Sequence, residues 1–231
     1  MDADSAARIY IVRHGETEEN SLGIHQGRGI GGRLSERGIA DTRLLAAHIA
    51  GRRVDTVITS SMPRTDATAA ILIQALRPAA VRYDERLSPK ETGYLSGHDR
   101  LQIERDAALA GIPVHLFKTP GGESTVEVQR RHVDLWHKVS VLPGTHVLVG
   151  HGVGIVTLLL HLTGDGFERF PDYIHGSAYR TIVDVEYGRH RIVELNKAPG
   201  WRARGDPADH HAGQHAPGAH RDRVAGRDPA R

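Results

Sequence analysis

Short apolar runs alternate with longer segments of helical pattern along most of this chain. That alternation restricts the fold more than any other feature. Ile9-Tyr10-Ile11-Val12, Val54-Asp55-Thr56-Val57-Ile58-Thr59, Val81-Arg82-Tyr83 and Val147-Leu148-Val149 read as strands. A helix is expected from the candidate N-cap Ser35 to about Ala50, with Ala40, Leu44 and Ala47 on its buried face. A second begins at Pro63, which suits a first turn, and runs to about Leu76. A third spans 123–139, and a fourth starts near Val153, apolar almost all round and so expected to be buried. Residues 181–187 and 190–195 flank Gly188-Arg189 as a hairpin would. The expected fold is therefore α/β: a three-layer α/β/α sandwich with a largely parallel central sheet and an antiparallel edge hairpin.

The pattern loosens over 84–122, as in an insertion lying over one face of a sheet, here expected to cover the active site. From about Gly200 the composition shifts to Ala, Gly, Pro, Arg, Asp and His, so 1–199 is read as one catalytic domain and 200–231 as a disordered tail. The tail also explains the basic balance. Of 30 basic and 28 acidic residues, it holds six Arg and four Asp from position 201 onward, leaving 24 of each sign in the first 200. With aromatics at 5% and no basic–aromatic interleaving, a nucleic-acid partner is not expected. The chain has no cysteine, which excludes thiolate catalysis and cysteine metal sites. Its acidic start is unlike a secretory signal, and the most apolar stretch, 153–162, is too short to span a bilayer. A cytoplasmic protein without a membrane partner is expected.

Three strand ends carry functional groups of one kind. The first gives Arg13-His14-Gly15-Glu16-Thr17, the second Ser60-Ser61-Met62-Pro63-Arg64, and the third Gly150-His151-Gly152. Ligands of open α/β sheets bind at the carboxyl ends of strands. Two arginines, two histidines and a helix N-terminus converging there have the charge and donors that a phosphoryl group requires. Each piece alone has an ordinary structural reading, and the coincidence at three strand ends is what favours chemistry. The tail histidines His210, His211, His215 and His220 lack a framework spacing, and no metal or other cofactor is expected.

The ordered set Arg13-His14-Gly15-Glu16-Thr17 with Asn20, Ser60-Ser61 with Arg64 and Thr65, Gly122-Glu123-Ser124 and His151-Gly152 resembles the histidine phosphatase superfamily in its phosphoglycerate-mutase-like branch, over roughly residues 8–197. The resemblance implies that His14 is transiently phosphorylated. It implies that Arg13, Arg64 and His151 bind the phosphoryl oxygens, with Asn20 beside them, and that His151 assists catalysis. The leaving alcohol also needs a proton donor. Relatives place a carboxylic acid two positions past the Leu of an Arg-Leu pair; here that pair is Arg86-Leu87 and the position holds Pro89. Glu91 is the nominated acid, with Glu85 and Glu123 behind it. The expected activity is metal-independent hydrolysis of a small phosphate monoester through a phosphohistidine. A phosphoglycerate mutase and an impaired phosphate-binding protein are the alternatives; the specific ester and the oligomeric state stay open.

Overall fold

The computed structural model describes residues 6–24, 26–29, 31–96 and 100–201. Six strands form one sheet: β1 (Ala7–Arg13), β2 (Thr56–Thr59), β3 (Ala80–Tyr83), β4 (Gly144–Gly150), β5 (Arg180–Glu186) and β6 (Arg189–Lys197). Their spatial order is β3-β2-β4-β1-β5-β6. The first four run parallel, while β5 pairs antiparallel with both β1 and β6, so the hairpin closes one edge. β1, β2 and β4 are buried on both faces, which is why they read as continuous apolar runs rather than alternating ones.

Helices cover both faces. The helices are α1 (Glu18–Ser21), α2 (Glu36–Ile49), α3 (Pro63–Leu76), α4 (Arg100–Leu109), α5 (Thr125–Val139) and α6 (Gly152–Thr163). Leu45, Ile49 and Leu72 from α2 and α3 pack with Tyr10, Val12, Val57 and Val149 on one side of the sheet. Leu135, Trp136, Ile155 and Leu159 from α5 and α6 pack with Ile9, Ile11 and Leu148 on the other. The sandwich thus has the three expected layers. The loose 84–122 stretch holds two short 3₁₀ turns and α4, and a further 3₁₀ turn at Phe167–Tyr173 follows α6. Among the described residues no helix is long and apolar enough to cross a membrane.

Caps set several boundaries. Ser35 accepts from the Gly38 N–H, and Ser124 and Glu127 form a reciprocal capping box that starts α5 one residue after Ser124. Thr17 and Asn20 form the same box around the four-residue α1, which carries no apolar periodicity to announce it. The buried face of α2 also differs from expectation. Ala40, Leu44 and Ala47 face solvent, Leu44 being 51% exposed, and the buried residues are Gly38, Thr42, Leu45, Ala46 and Ile49. Counting apolar side chains selects the wrong stripe because the first half of the true one is a glycine and a threonine, with Leu45, Ala46 and Ile49 completing it. Gly38 lies against the backbone of Glu16, and the Thr42 hydroxyl is satisfied by the Gly38 carbonyl at 2.6 Å.

From residue 202 the expected disordered tail, with its four histidines, lies outside the described residues. Trp201 is held: its carbonyl accepts from the buried Arg180 at 3.0 Å and the Lys197 ammonium sits 4.5 Å from its ring centroid.

A Cβ at position 38 would meet the Glu16 carbonyl oxygen at 2.1 Å and its nitrogen at 2.7 Å. Gly38→Ala is therefore expected to destabilise the protein by about 2 kcal/mol or more, whereas Leu44→Ala, on the solvent face, shifts stability by no more than about 0.5 kcal/mol. Urea denaturation of the two variants checks the assignment.

Candidate active site

Register brings the functional residues together. Arg13 pairs with Gly150 and Thr59 with Val149, so β1, β2 and β4 end level and side by side. The residues that follow, His14, Ser60 and His151, emerge at one edge of the sheet. His14 N–H donates to the Gly150 carbonyl at 3.1 Å, tying the first loop to the third strand end. Gly15 must lack a side chain, since a Cβ there would meet the Thr42 hydroxyl at 2.7 Å and the Gly38 carbonyl at 2.9 Å.

The His14 ring is 3% exposed, and its Nδ1 lies 2.7 Å from the Gly15 carbonyl oxygen. A carbonyl only accepts, so Nδ1 carries the proton and Nε2 keeps its lone pair. Burial, then the charges of Arg13 and Arg64, hold the His14 pKa well below that of an ordinary histidine, against a smaller opposing effect of the Gly15 carbonyl. The ring is thus neutral near pH 7. His151 lies 5.2 Å from it between centroids, tilted by 56°. Arg64 Nε donates to His151 Nδ1 at 3.3 Å, so the His151 proton is on Nε2, directed at the Ser60 hydroxyl 2.9 Å away. Ser60 in turn meets Thr65 Oγ1 at 2.8 Å. Burial foremost, then His14 and Arg64, lower the His151 pKa strongly.

Arg64 is buried and Arg13 half-buried, and both cations have spare donors. Arg13 Nη1 donates to the His175 carbonyl at 2.6 Å, and Arg64 Nη2 to the Gly27 carbonyl at 2.8 Å. Arg13 Nε and Arg64 Nη1 are buried without a hydrogen-bond partner among the described residues. Burial lowers the pKa of both; for Arg64 the nearby Arg13 adds to this, bringing it to about 10. Buried donors without acceptors are costly.

Arg13, His14, Arg64 and His151 line one cavity of about 440 Å³, a size typical of small-molecule sites. Asn20 and the buried Gln26 line it too. The Gln26 Oε1 accepts from Asn20 Nδ2 at 3.3 Å and from the Thr17 hydroxyl at 3.1 Å. Gly152 and Val153 bring the amino end of α6, hence its positive pole, to the same cavity. From the 84–122 segment come Pro89, Lys90, Ile103, Glu104, Val114 and His115.

Glu91 is not among the lining residues. Its carboxylate accepts from the Gly93 N–H at 3.1 Å and lies 3.8 Å from Arg28. Glu85 holds the hydroxyls of Ser61 and Ser88, and Glu123 pairs with Arg131. The carboxylates that do line the cavity are Glu104 and Glu168. Sequence reasoning also passed over Gln26, Lys90 and Arg131, although Lys90 directly follows the anomalous Pro89. Arg131 donates from α5 to the carbonyls of Arg86, Ser88 and Pro89, fixing the loop that carries Pro89 and Lys90. Among the described residues no group of three or more His, Asp or Glu is placed to hold a metal ion.

A neutral, oriented imidazole beside two underused guanidiniums at the carboxyl edge of a parallel sheet defines a protein that handles phosphoryl groups. The chain belongs to the histidine phosphatase superfamily (branch 1), which it matches over residues 9–198. It is 30% identical over 196 residues to putative phosphoserine phosphatase 2 of Hydrogenobacter thermophilus, covering 82% of this chain and 95% of that one. It is 28% identical to fructose-2,6-bisphosphatase TIGAR of Mus musculus, covering 73% of this chain and 64% of that longer protein. The fold superposes on a mycobacterial glucosyl-3-phosphoglycerate phosphatase with a TM-score of 0.69 at 27% identity, covering 84% of this chain and 100% of the other.

His14, His132, His151 and His175 are all buried, with pKa values below the usual histidine range; His132 and His175 fall to about 4, burial being the main cause in each. The unfolded chain protonates these rings near pH 6.5, so below that pH it binds more protons than the fold does. Stability contributed by keeping them neutral is complete above pH 6.5 and declines as pH falls toward their folded values. Thermal denaturation should show Tm falling steeply from pH 6.5 to pH 5. His132→Asn, which removes one such ring from outside the cavity lining, should make that decline shallower.

Proposed function

We propose that the protein hydrolyses phosphate monoesters through a phosphohistidine at His14. The observation that carries this reading is the pair of buried donors without partners among the described residues, Arg13 Nε and Arg64 Nη1, on side chains that line one cavity with His14, whose Nε2 keeps its lone pair. Phosphoryl oxygens are the acceptors that such planar, permanently charged donors fit. The membership in the histidine phosphatase superfamily and the phosphatases among its relatives support the same activity.

In this mechanism His14 Nε2 donates its lone pair to phosphorus as the P–O ester bond breaks. Arg13 and Arg64 hold the equatorial oxygens, whose charge is the main demand of phosphoryl transfer. Asn20 closes one side of the same pocket. His151, with both ring nitrogens engaged, holds Arg64 in place; donation from His151 to a phosphoryl oxygen requires its Nε2 proton to leave the Ser60 hydroxyl. Water then attacks the phosphohistidine, the P–N bond breaks, and inorganic phosphate leaves.

The leaving oxygen takes a proton from a carboxylic acid. Glu91, nominated from the sequence, reaches the cavity only by giving up the Gly93 N–H, whereas Glu104 already lines it. This geometry favours Glu104 for the step.

His14→Ala is expected to lower phosphate release by about 10⁴-fold or more, and loss of acid-labile labelling from a radioactive phosphate ester checks the covalent step. Activity near that of the unaltered protein would remove His14 from the chemistry. Incubation with 3-phosphoglycerate separates hydrolysis from mutase activity: free phosphate is expected, not isomerised ester. Glu104→Gln should slow an alkyl phosphate about tenfold or more while sparing p-nitrophenyl phosphate, whose phenolate leaves without a proton. The same selective loss in Glu91→Gln would return the role to Glu91.

A further inference from the structure

Arg13, His14, Arg64 and His151 account for only part of the cavity lining. Much of the rest is hydrocarbon, interrupted by Lys90, Glu104, His115, Thr125 and Glu168. Val153 and Val156 contribute from α6, Ile103 from α4, and Phe167, Phe170 and Ile174 from the turn after α6. These side chains come from three separate elements, so the apolar surface is a built wall rather than one stray residue. The imidazole of His115 stacks flat on Phe167, with centroids 4.8 Å apart and planes 1° from parallel, which stiffens that side. Apart from Val156, the residues named here are only partly buried or exposed, as a surface available to a ligand must be.

The charges on this part of the wall tell against a second acidic group. They are Lys90, Glu104 and Glu168. With Glu104 ionised the balance is one negative charge, and with Glu104 protonated it is zero. Lys90 does not tip it. Its ammonium is 3.2 Å from the Thr125 hydroxyl, is pushed toward neutrality chiefly by burial, and is already offset by the charges of Glu123 and Glu127. A sugar or glycerate moiety placed against Ile103, Val153, Phe167 and Ile174 would leave the hydroxyls or carboxylate on that side without partners, at a cost.

We propose that the alcohol portion of the substrate is an uncharged apolar group, alkyl or aryl, seated on the Val153–Phe167–Ile174 side of the cavity. This assignment rests on the phosphatase reading and narrows it. It separates this chain from relatives named for phosphoserine, fructose 2,6-bisphosphate and glucosyl-3-phosphoglycerate.

The test compares hexyl phosphate with glycerol 3-phosphate. Both release a primary alkoxide, so leaving-group basicity is closely matched and polarity is what differs. kcat/KM for hexyl phosphate should exceed that for glycerol 3-phosphate by about tenfold or more. A terminal carboxylate, as in 6-phosphonooxyhexanoate, should abolish the advantage. Val114→Asp and Ile174→Asp, at wall positions 45% and 44% exposed and so tolerant of a charge, should narrow the ratio. Equal rates, or preference for the polar ester, would overturn the proposal. Titration calorimetry with hexylphosphonate and 3-phosphonopropionate, whose C–P bonds are not cleaved, reads the same selectivity without turnover. Tight hexylphosphonate binding without hydrolysis of any ester would uphold the apolar subsite and reject the hydrolase reading. Brisk hydrolysis with no preference would do the reverse.

Discussion

Parallel register among β1, β2 and β4 is the constraint on which the site depends. Because Arg13 lies opposite Gly150 and Thr59 opposite Val149, three loops leave the sheet at the same height. A slip of one residue in any pair would turn that strand's side chains to the opposite face. It would also carry His14 or His151 away from its partners. The slip is opposed by burial on both faces: Ile9, Val12, Val57, Val147 and Val149 are fully enclosed, so every alternative register exposes hydrocarbon or buries a charge. The helices contribute through the same packing. Gly15 and Gly38 let α2 approach the His14 loop closely enough that Thr42 and the Gly38 carbonyl fill the space a Cβ would take.

The electrostatics of the cavity run against the stability of the free protein. Two guanidiniums and two neutral histidines are enclosed together, and burial is the leading cause of the depressed pKa of all four. Such strain persists only where the surroundings over-determine it. Here the carbonyls of His175 and Gly27 hold one nitrogen of each arginine, and the Arg64–His151–Ser60–Thr65 chain holds the rest of the second side. An arriving dianion supplies the charge and the acceptors that this arrangement lacks, so its binding recovers energy already stored in the fold.

Much of this was legible in the sequence, for physical reasons that also mark where legibility stopped. Strands buried on both faces read as apolar runs, and Ser35 and Pro63 announced the starts of α2 and α3 because caps act locally. The four-residue α1 was missed, since the box between Thr17 and Asn20 has no apolar periodicity to accompany it. The face of α2 was misphased because its buried stripe includes Gly38 and Thr42, which meet the His14 loop and which hydrophobicity does not score, ahead of Leu45, Ala46 and Ile49 on the sheet. At the site, Arg13, His14, Arg64 and His151 were visible because each directly follows or ends a strand or begins a helix. Gln26, Lys90 and Glu104 were not, because what brings them to the cavity is the path of irregular segments, fixed by tertiary contacts such as Arg131. The hydrocarbon wall was invisible for the same reason: Ile103, Val153 and Phe167 are far apart in the chain and share no motif.

The Arg131 guanidinium, rooted in α5, holds the backbone carbonyls of Arg86, Ser88 and Pro89 and is itself braced by Glu123. The stretch beneath the cavity roof is thereby riveted to a long helix instead of floating on its own hinges. A displacement of α5 at Arg131 would be passed through these hydrogen bonds to the loop of Pro89 and Lys90, two residues of the cavity lining.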